Sequence, residues 1–318
     1  MRSMSSSPCW SNEVFTNELV RKRLIPYLDK TPSYVDELSQ SVPRLKRSRR
    51  ASVLIPLYCN QVTNRIEVLL IKRSDKMRSH TGMVAFPGGM ADPTDRDRIH
   101  TAEREAEEEI GLEPSKYSLV GCLLPITDSR IVVITPVVAL LDSPKFVDFR
   151  LSPDEASDAF YVDLEQFLLA SQNYKMLEVG DHFVTHHFNV DKYHIWGVTS
   201  YQLILLATLV YQRAPEFPVF RHEQYLDLKQ IKQQQMDFFR LCVDYRNRTE
   251  KKERTGSTRP TTASSGVAAA SKPASTPRPA SAASTTSCKR TFFNYAEFWS
   301  EEFDLSGKEL DRNRLCMP

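Results

Sequence analysis

A glycine turn opens directly into a segment carrying more acid than packing requires, in the stretch Gly88 to Leu112, GGMADPTDRDRIHTAEREAEEEIGL. Glu105, Glu108 and Glu109 fall at i, i+3 and i+4, so a helix places all three within about a third of its circumference. Carboxylates crowded in this way repel one another unless a hard divalent cation sits among them, because Mg2+ or Mn2+ takes oxygen ligands and cancels the charge. The opposite stripe, Ile99, Ala102, Ala106 and Ile110, recurs at steps of three and four and is the face to bury, with Gly111 as the helix stop. One face is expected to pack and its neighbour to hold metal. A solvated acidic helix would explain the charge, but not why the glycines, Arg104 and the closing Gly-Leu fall in register.

Arg104 to Leu112, REAEEEIGL, preceded by Gly88 and Gly89, resembles the box of the Nudix hydrolases, which cleave nucleoside diphosphates linked to another moiety. Arg104 follows Gly89 by 15 positions, one more than in the general box, and Asp95 stands roughly where that box carries a glutamate. The longer spacing, the PGG opening, Asp92, Asp95 and the Thr101–Ala102 pair are similar to the coenzyme A diphosphatase branch.

The preceding segment, KRSDKMRSHTGMVAFP over 72–87, sets Lys72, Arg73, Arg78 and His80 between a predicted strand and the glycine turn. Cations have a use beside a phosphate-cleaving site, and arginine offers a planar fork to phosphate oxygens. In order, Leu69, Leu70, Arg73, Ser74, Arg78, His80, Gly82, Val84, Ala85, Phe86, Pro87, Gly88 and Gly89 match the signature that leads into the box in that branch. Met77 and Met83 depart from it, the second in place of a glutamine. The resemblance continues through ITPVVALL near 134–141 and YHIWGVTS at 193–200, and so covers about 165 residues, from Ala51 to Pro215.

The 318 residues, 41% hydrophobic, suffice for one sizeable core, and a net charge of +2 argues against nucleic acid or an anionic membrane as the main partner. Six cysteines without metal-site spacing imply free thiols in a reducing compartment. The apolar runs 131–141 and 203–211 are too short to span a bilayer, so a soluble intracellular protein is expected, with the organelle, mitochondrial or peroxisomal among the alternatives, left open.

Residues 1–50 read as a short amphipathic helix over 11–28, with Val14, Leu19 and Leu24 inward, and a basic linker at 46–50. Strands are expected at 51–58 and 66–73, joined by the polar turn Asn60 to Asn64, and again at 117–124 and 131–141. Asp154, Glu155 and Asp158 precede what reads as an apolar helix start, with Asp154 or Asp163 as cap and Glu155 as an acid for the site. His182, His186 and His187 lie in an alternating stretch and read as a surface strand rather than a metal site. Residues 216–246 include a helix over 222–246. The run 247–318 is low in large apolar residues and is expected to be disordered, apart from an aromatic segment at 292–303 that could engage a partner.

The resemblance implies an α/β/α sandwich around a mixed sheet and hydrolysis of the diphosphate in coenzyme A or its thioesters. Glu105, Glu108 and Glu109 would hold Mg2+ or Mn2+, and Arg104 would fix the carboxylates. Glu108 or Glu155 would take the proton, with Lys72, Arg73, Arg78, His80, Gly88 and Gly89 against substrate. ADP-ribose or capped RNA as substrate, or a Nudix binding module without catalysis, are the competing readings; the intact acidic triad opposes the last.

Overall fold

The structure is a computed structural model and describes residues 13–30, 33–77, 81–127, 132–143, 149–179, 183–222 and 224–256. Strand β1 (Arg50–Asn60) turns back into β2 (Arg65–Arg73), as the two apolar runs and the polar turn between them predict. The Asn60 side-chain oxygen accepts from the Val62 and Thr63 amides, and Asn64 closes the turn at φ 52°. Two short strands follow, β3 (Val84–Ala85) on β2 and β4 (Gly88–Met90) on β1. The acidic segment is helix α3 (Arg98–Ile110), capped by the Asp97 carboxylate and stopped by Gly111 at φ 70°. Beyond it come β5 (Tyr117–Cys122), β6 (Ile126–Thr127) and β7 (Val133–Leu141). The pairing of β7 with β1 is parallel while the other pairings are antiparallel, so the sheet is mixed.

The period of two in these strands sorts side chains to opposite faces. Leu54, Leu69, Ile71, Val137, Ala139 and Leu141 meet Ala102, Ala106 and Ile110 of α3 on one side. Ile55, Leu57, Val68, Leu70, Val138 and Leu140 belong on the other to a cluster with Val20, Leu24 and Leu203 to Val210. Those residues lie on α1 (Asn17–Leu24) and α4 (Gly197–Tyr211). Covered on both sides, β7 is buried at every position, as an interior strand of an α/β/α sandwich should be.

Several elements differ from expectation. Thr16 caps α1 and its buried residues are Val20 and Leu24, leaving Val14 56% exposed and Leu19 half-buried. Helix α2 (Tyr34–Ser41), unpredicted, starts at a capping box between Ser33 and Asp36. The basic cluster at 46–50 is not a linker: a 3-10 turn over Pro43–Arg47 buries Leu45 against Val35, Val133, Phe239 and Val243 before β1 begins. The segment after Glu155 is β8 (Ala156–Asp163), antiparallel to β2, rather than a helix: the apolar run AFYV is short, aromatic and β-branched, and its ladder to β2 outweighs the acids before it. Asp163 caps only the 3-10 turn Leu164–Leu168, and Asp154 pairs with Lys76 at 3.1 Å instead of capping.

A second sheet holds β9 (Tyr174–Val179), β10 (Phe183–Val190) and β11 (Tyr193–Trp196). His186 and His187 are on a strand, but not a surface one. His186 is buried between the Tyr174 hydroxyl and the Val219 carbonyl, each at 3.0 Å, and burial pushes its pKa down to about 4, so it is neutral. His182 lies outside the described residues. Helix α5 (Ile231–Gly256) starts later than expected and packs Phe239 and Val243 on α2, while Tyr225 is half-exposed ahead of it. Residues 257–318, with the low-complexity run and the aromatic segment 292–303, lie outside the described residues. Cys59 and Cys122 are free thiols, and no described helix is long and apolar enough to cross a membrane.

Candidate active site

Two elements bring the glycine turn against the acidic helix. Strand β4 pairs Gly88 with Val53 and Gly89 with Ser52, and α3 packs across β1 and β4. Glu109 is thereby buried to 3% exposure, its Oε2 accepting from the Gly88 amide at 2.9 Å. Glu105 approaches Gly89 so closely that a Cβ there would lie 2.4 Å from Glu105 Oε2. Both glycines therefore serve the carboxylates they face. Glu108, 54% exposed, points away from the sheet.

Arg104 pairs with the acids around it. Its Nη1 donates to Glu105 Oε1 at 2.9 Å and Glu108 Oε2 at 3.0 Å. Its Nε and Nη2 donate to the two oxygens of Asp95 at 2.9 and 3.1 Å, and Nη2 also reaches the Met90 carbonyl at 3.1 Å. The bidentate pair holds the Asp95 carboxyl far below the usual range, chiefly through the Arg104 hydrogen bonds. Asp95, which in sequence marks a departure from the general box and a match to the coenzyme A diphosphatase branch, is thus the anchor of the arginine.

Glu155 joins the site from the turn that precedes β8. The Ser74 amide donates to the Glu155 carbonyl at 2.9 Å, and Ser152 N donates to the Glu109 carbonyl at 2.9 Å, tying the 152–155 turn both to the end of β2 and to α3. Burial is the main cause that pushes Glu109 up to about 8, and the charges of Glu105 and Glu155 add to it while Arg73 and the Gly88 amide oppose. Glu105 is raised for the same leading reason, with Glu108 and Glu155 adding.

The predicted cations divide. Arg73 sits in the site, Nη1 3.6 Å from Glu109 Oε1. Lys72 is half-buried on the neighbouring position, its stem beside Gly82. Arg78 and His80 lie outside the described residues. One contact was beyond sequence reasoning. Arg98, first residue of α3, donates to Asp29 Oδ2 at 2.6 Å, while Asp29 takes the Tyr34 amide and its own amide donates to the Cys122 carbonyl. The segment before β1 thereby grips the start of the acidic helix, across a separation in sequence that no local signal spans.

The donor set fits a hard cation in its chemistry: carboxylate oxygens, two of the three well covered, with both covered members held above their ordinary pKa chiefly by burial, which Arg104 and Arg73 only partly offset. As the side chains stand, no three acidic, imidazole or thiol groups among the described residues converge to ligating distance; Arg104 lies between Glu105 and Glu108.

Comparison with known proteins matches residues 48–183 to the NUDIX domain. The chain is 39% identical over 188 residues to "Nudix hydrolase 15, mitochondrial" of Arabidopsis thaliana, covering 57% of this chain and 65% of that one. It is 37% identical to the "Uncharacterized Nudix hydrolase NudL" of Photorhabdus laumondii, covering 54% of this chain and 87% of the relative. To the "Peroxisomal coenzyme A diphosphatase NUDT7" of Mus musculus it is 34% identical, covering 54% and 75%. A solved Ap4A hydrolase of C. elegans aligns at 24% identity over 36% of this chain and 80% of that one, with a TM-score of 0.31.

Proposed function

Because the chain belongs to the Nudix hydrolase family, we propose that it hydrolyses the diphosphate linkage of coenzyme A and its thioesters, giving 3',5'-ADP and (acyl-)4'-phosphopantetheine. The observation that carries this reading is the ordered match from Leu69 to Gly89, whose described part forms β2, β3 and β4 against the acidic helix. The name of the mouse relative, identical at 34% of aligned positions, supports the same substrate.

Nudix hydrolases use divalent metal ions, and Mg2+ or Mn2+ is proposed here on Glu105, Glu108 and Glu109. Bound among them, the ion would withdraw charge from the phosphate oxygens and lower the pKa of an attacking water. Arg104 keeps Glu105 and Glu108 oriented through Nη1 while Asp95 holds its other edge, so the guanidinium cannot swing without breaking a bidentate pair. The proton acceptor is assigned to Glu155: it is half-buried on a turn tied to both β2 and α3, whereas Glu108 is mostly in solvent and engaged by Arg104. Lys72, Arg78, His80 and Gly89 are proposed against the negative charge of the substrate, while the Gly88 amide is taken by Glu109.

The deciding experiment incubates the purified protein and Mg2+ or Mn2+ with coenzyme A, ADP-ribose and capped RNA in parallel and identifies products by mass. Coenzyme A should give 3',5'-ADP and 4'-phosphopantetheine, and Glu105→Gln should lower kcat by ~10²-fold. Preferential cleavage of ADP-ribose or capped RNA would overturn the substrate assignment.

A further inference from the structure

Arg73 continues a row of side chains that does not lead to the substrate. With a period of two, Leu69, Ile71 and Arg73 share a face of β2, and the first two lie in the core beneath α3. Strand β8 bulges at this point: Lys72 pairs with Asp158 but Arg73 with Ala156, leaving Ser157 to donate to the Lys72 and Arg73 carbonyls. The Arg73 amide donates to the Met83 carbonyl at 2.9 Å, so its backbone is held from both sides. From there the side chain, 16% exposed, runs under the helix to Glu109. Its Nε is sealed from solvent without a hydrogen-bond partner among the described residues.

A guanidinium that reads phosphate presents its fork to the cleft. Here one edge is inaccessible and Nη1 faces a buried carboxylate, so no phosphate reaches the fork without displacing Glu109. Glu109 in turn has one oxygen on the Gly88 amide and the other toward Arg73. Two contacts on different oxygens fix the carboxylate plane, whereas the Gly88 amide alone would leave it free to rotate about that one bond.

We propose that Arg73 is a positioning residue that orients the Glu109 carboxylate for metal, and not a reader of coenzyme A phosphate. It rests on the proposed reading that Glu109 is a metal ligand. In this reading the expectation that Arg73 lies against substrate gives way to a role exerted through its partner, Glu109.

The test uses the full chain, Mn2+ as probe and four proteins: wild type, Arg73→Ala, Glu109→Gln and the double variant. Free Mn2+ is titrated by electron paramagnetic resonance, and coenzyme A binding by calorimetry. Arg73→Ala should weaken Mn2+ about tenfold or more, the usual cost of losing a partner that orients a ligand, and lower kcat with KM within about twofold. Once Glu109 is Gln, removing Arg73 should change neither the Mn2+ nor the coenzyme A affinity. If Arg73→Ala alone fails to fold, the double variant, which removes both charges together, still supplies that comparison with Glu109→Gln. Weaker coenzyme A binding in the double variant than in Glu109→Gln would overturn the proposal, as would wild-type Mn2+ affinity in Arg73→Ala. A wild type that leaves coenzyme A intact refutes the substrate reading alone, and the Mn2+ titrations then decide the role of Arg73.

Discussion

Two adjacent glycines answer to different demands, and alanine at each should fail differently. Gly88 has φ 155°, and a Cβ on it would lie 2.4 Å from the Ser52 carbonyl oxygen and 2.6 Å from the Val53 Cα. Both obstacles are backbone of β1, at the centre of the sheet, and neither can retreat. Overpacking of this kind costs ~1–3 kcal/mol, and the strained φ adds a similar amount. At 2–4 °C for each kcal/mol in a domain of this size, Gly88→Ala should lower Tm by about 5–20 °C. Gly89 has no positive φ, and its Cβ would meet only the end of a side chain, Glu105 Oε2 at 2.4 Å and Cδ at 2.5 Å. Glu105 can swing aside, giving up its hydrogen bond from Arg104, so Tm should fall by no more than a few degrees. The displacement, however, moves a proposed metal ligand by more than an ångström, and a misplacement of that size costs ~10²-fold in rate. Calorimetry on both variants beside kcat and Mn2+ affinity separates the two effects. Gly89→Ala with wild-type kcat and metal affinity would refute the placement of Glu105 in the site, and an unchanged Tm in Gly88→Ala would refute the close pairing of β4 on β1.

Glu155→Gln should lower kcat by ~10²-fold or more with Mn2+ affinity nearly unchanged, as expected for a proton acceptor; the same pattern in Glu108→Gln instead would transfer that role. In chelator-treated protein, Glu109 holds its proton up to about 8 while the unfolded chain releases it near the ordinary glutamate value. The folded state therefore binds more protons through that window, so Tm should fall as pH rises from about 5 to 8, and Glu109→Gln should flatten the slope. A Tm that rises with pH equally in both proteins would remove Glu109 as the source.

Local chemistry made much of this legible in sequence. The stripe Ala102, Ala106 and Ile110 went to the core, Gly111 stopped the helix, and the hairpin of β1 and β2 turned at its polar Asn60–Asn64 stretch. What failed to show depends on distant partners. Ser33 and Asp36 spell a capping box, but α2 lasts only 8 residues, too short to stand without the packing that Leu45, Phe239 and Val243 provide. The acids before β8 resembled helix caps because caps and strand entries draw on the same small polar residues, and only the ladder to β2 decides between them. Arg73 illustrates the same limit inside the site. Its position in a motif placed it near phosphate chemistry, while the side to which a strand residue points is settled by the sheet face it occupies.

The extra residue between glycine turn and arginine also acquires a physical use. Between β4 and α3 the chain makes a tight turn in which the Asp95 amide donates to the Asp92 carbonyl at 2.9 Å and the Asp92 amide donates back to Asp95 Oδ2 at 2.9 Å. Thr94 closes it, both its amide and its hydroxyl donating to Asp92 Oδ1. A glutamate at position 95 would add a methylene and carry the carboxylate past the geometry in which two parallel oxygens meet Nε and Nη2 of Arg104. The shorter side chain needs its backbone brought closer, and the Asp92–Asp95 turn does that. Asp92, Asp95 and the longer spacing are thus one device for holding Arg104, and through it Glu105 and Glu108. If so, Asp95→Glu should be nearly as damaging to kcat as Asp95→Asn, although it keeps the charge. A fully active Asp95→Glu enzyme would show that charge alone secures the arginine and that the turn is incidental.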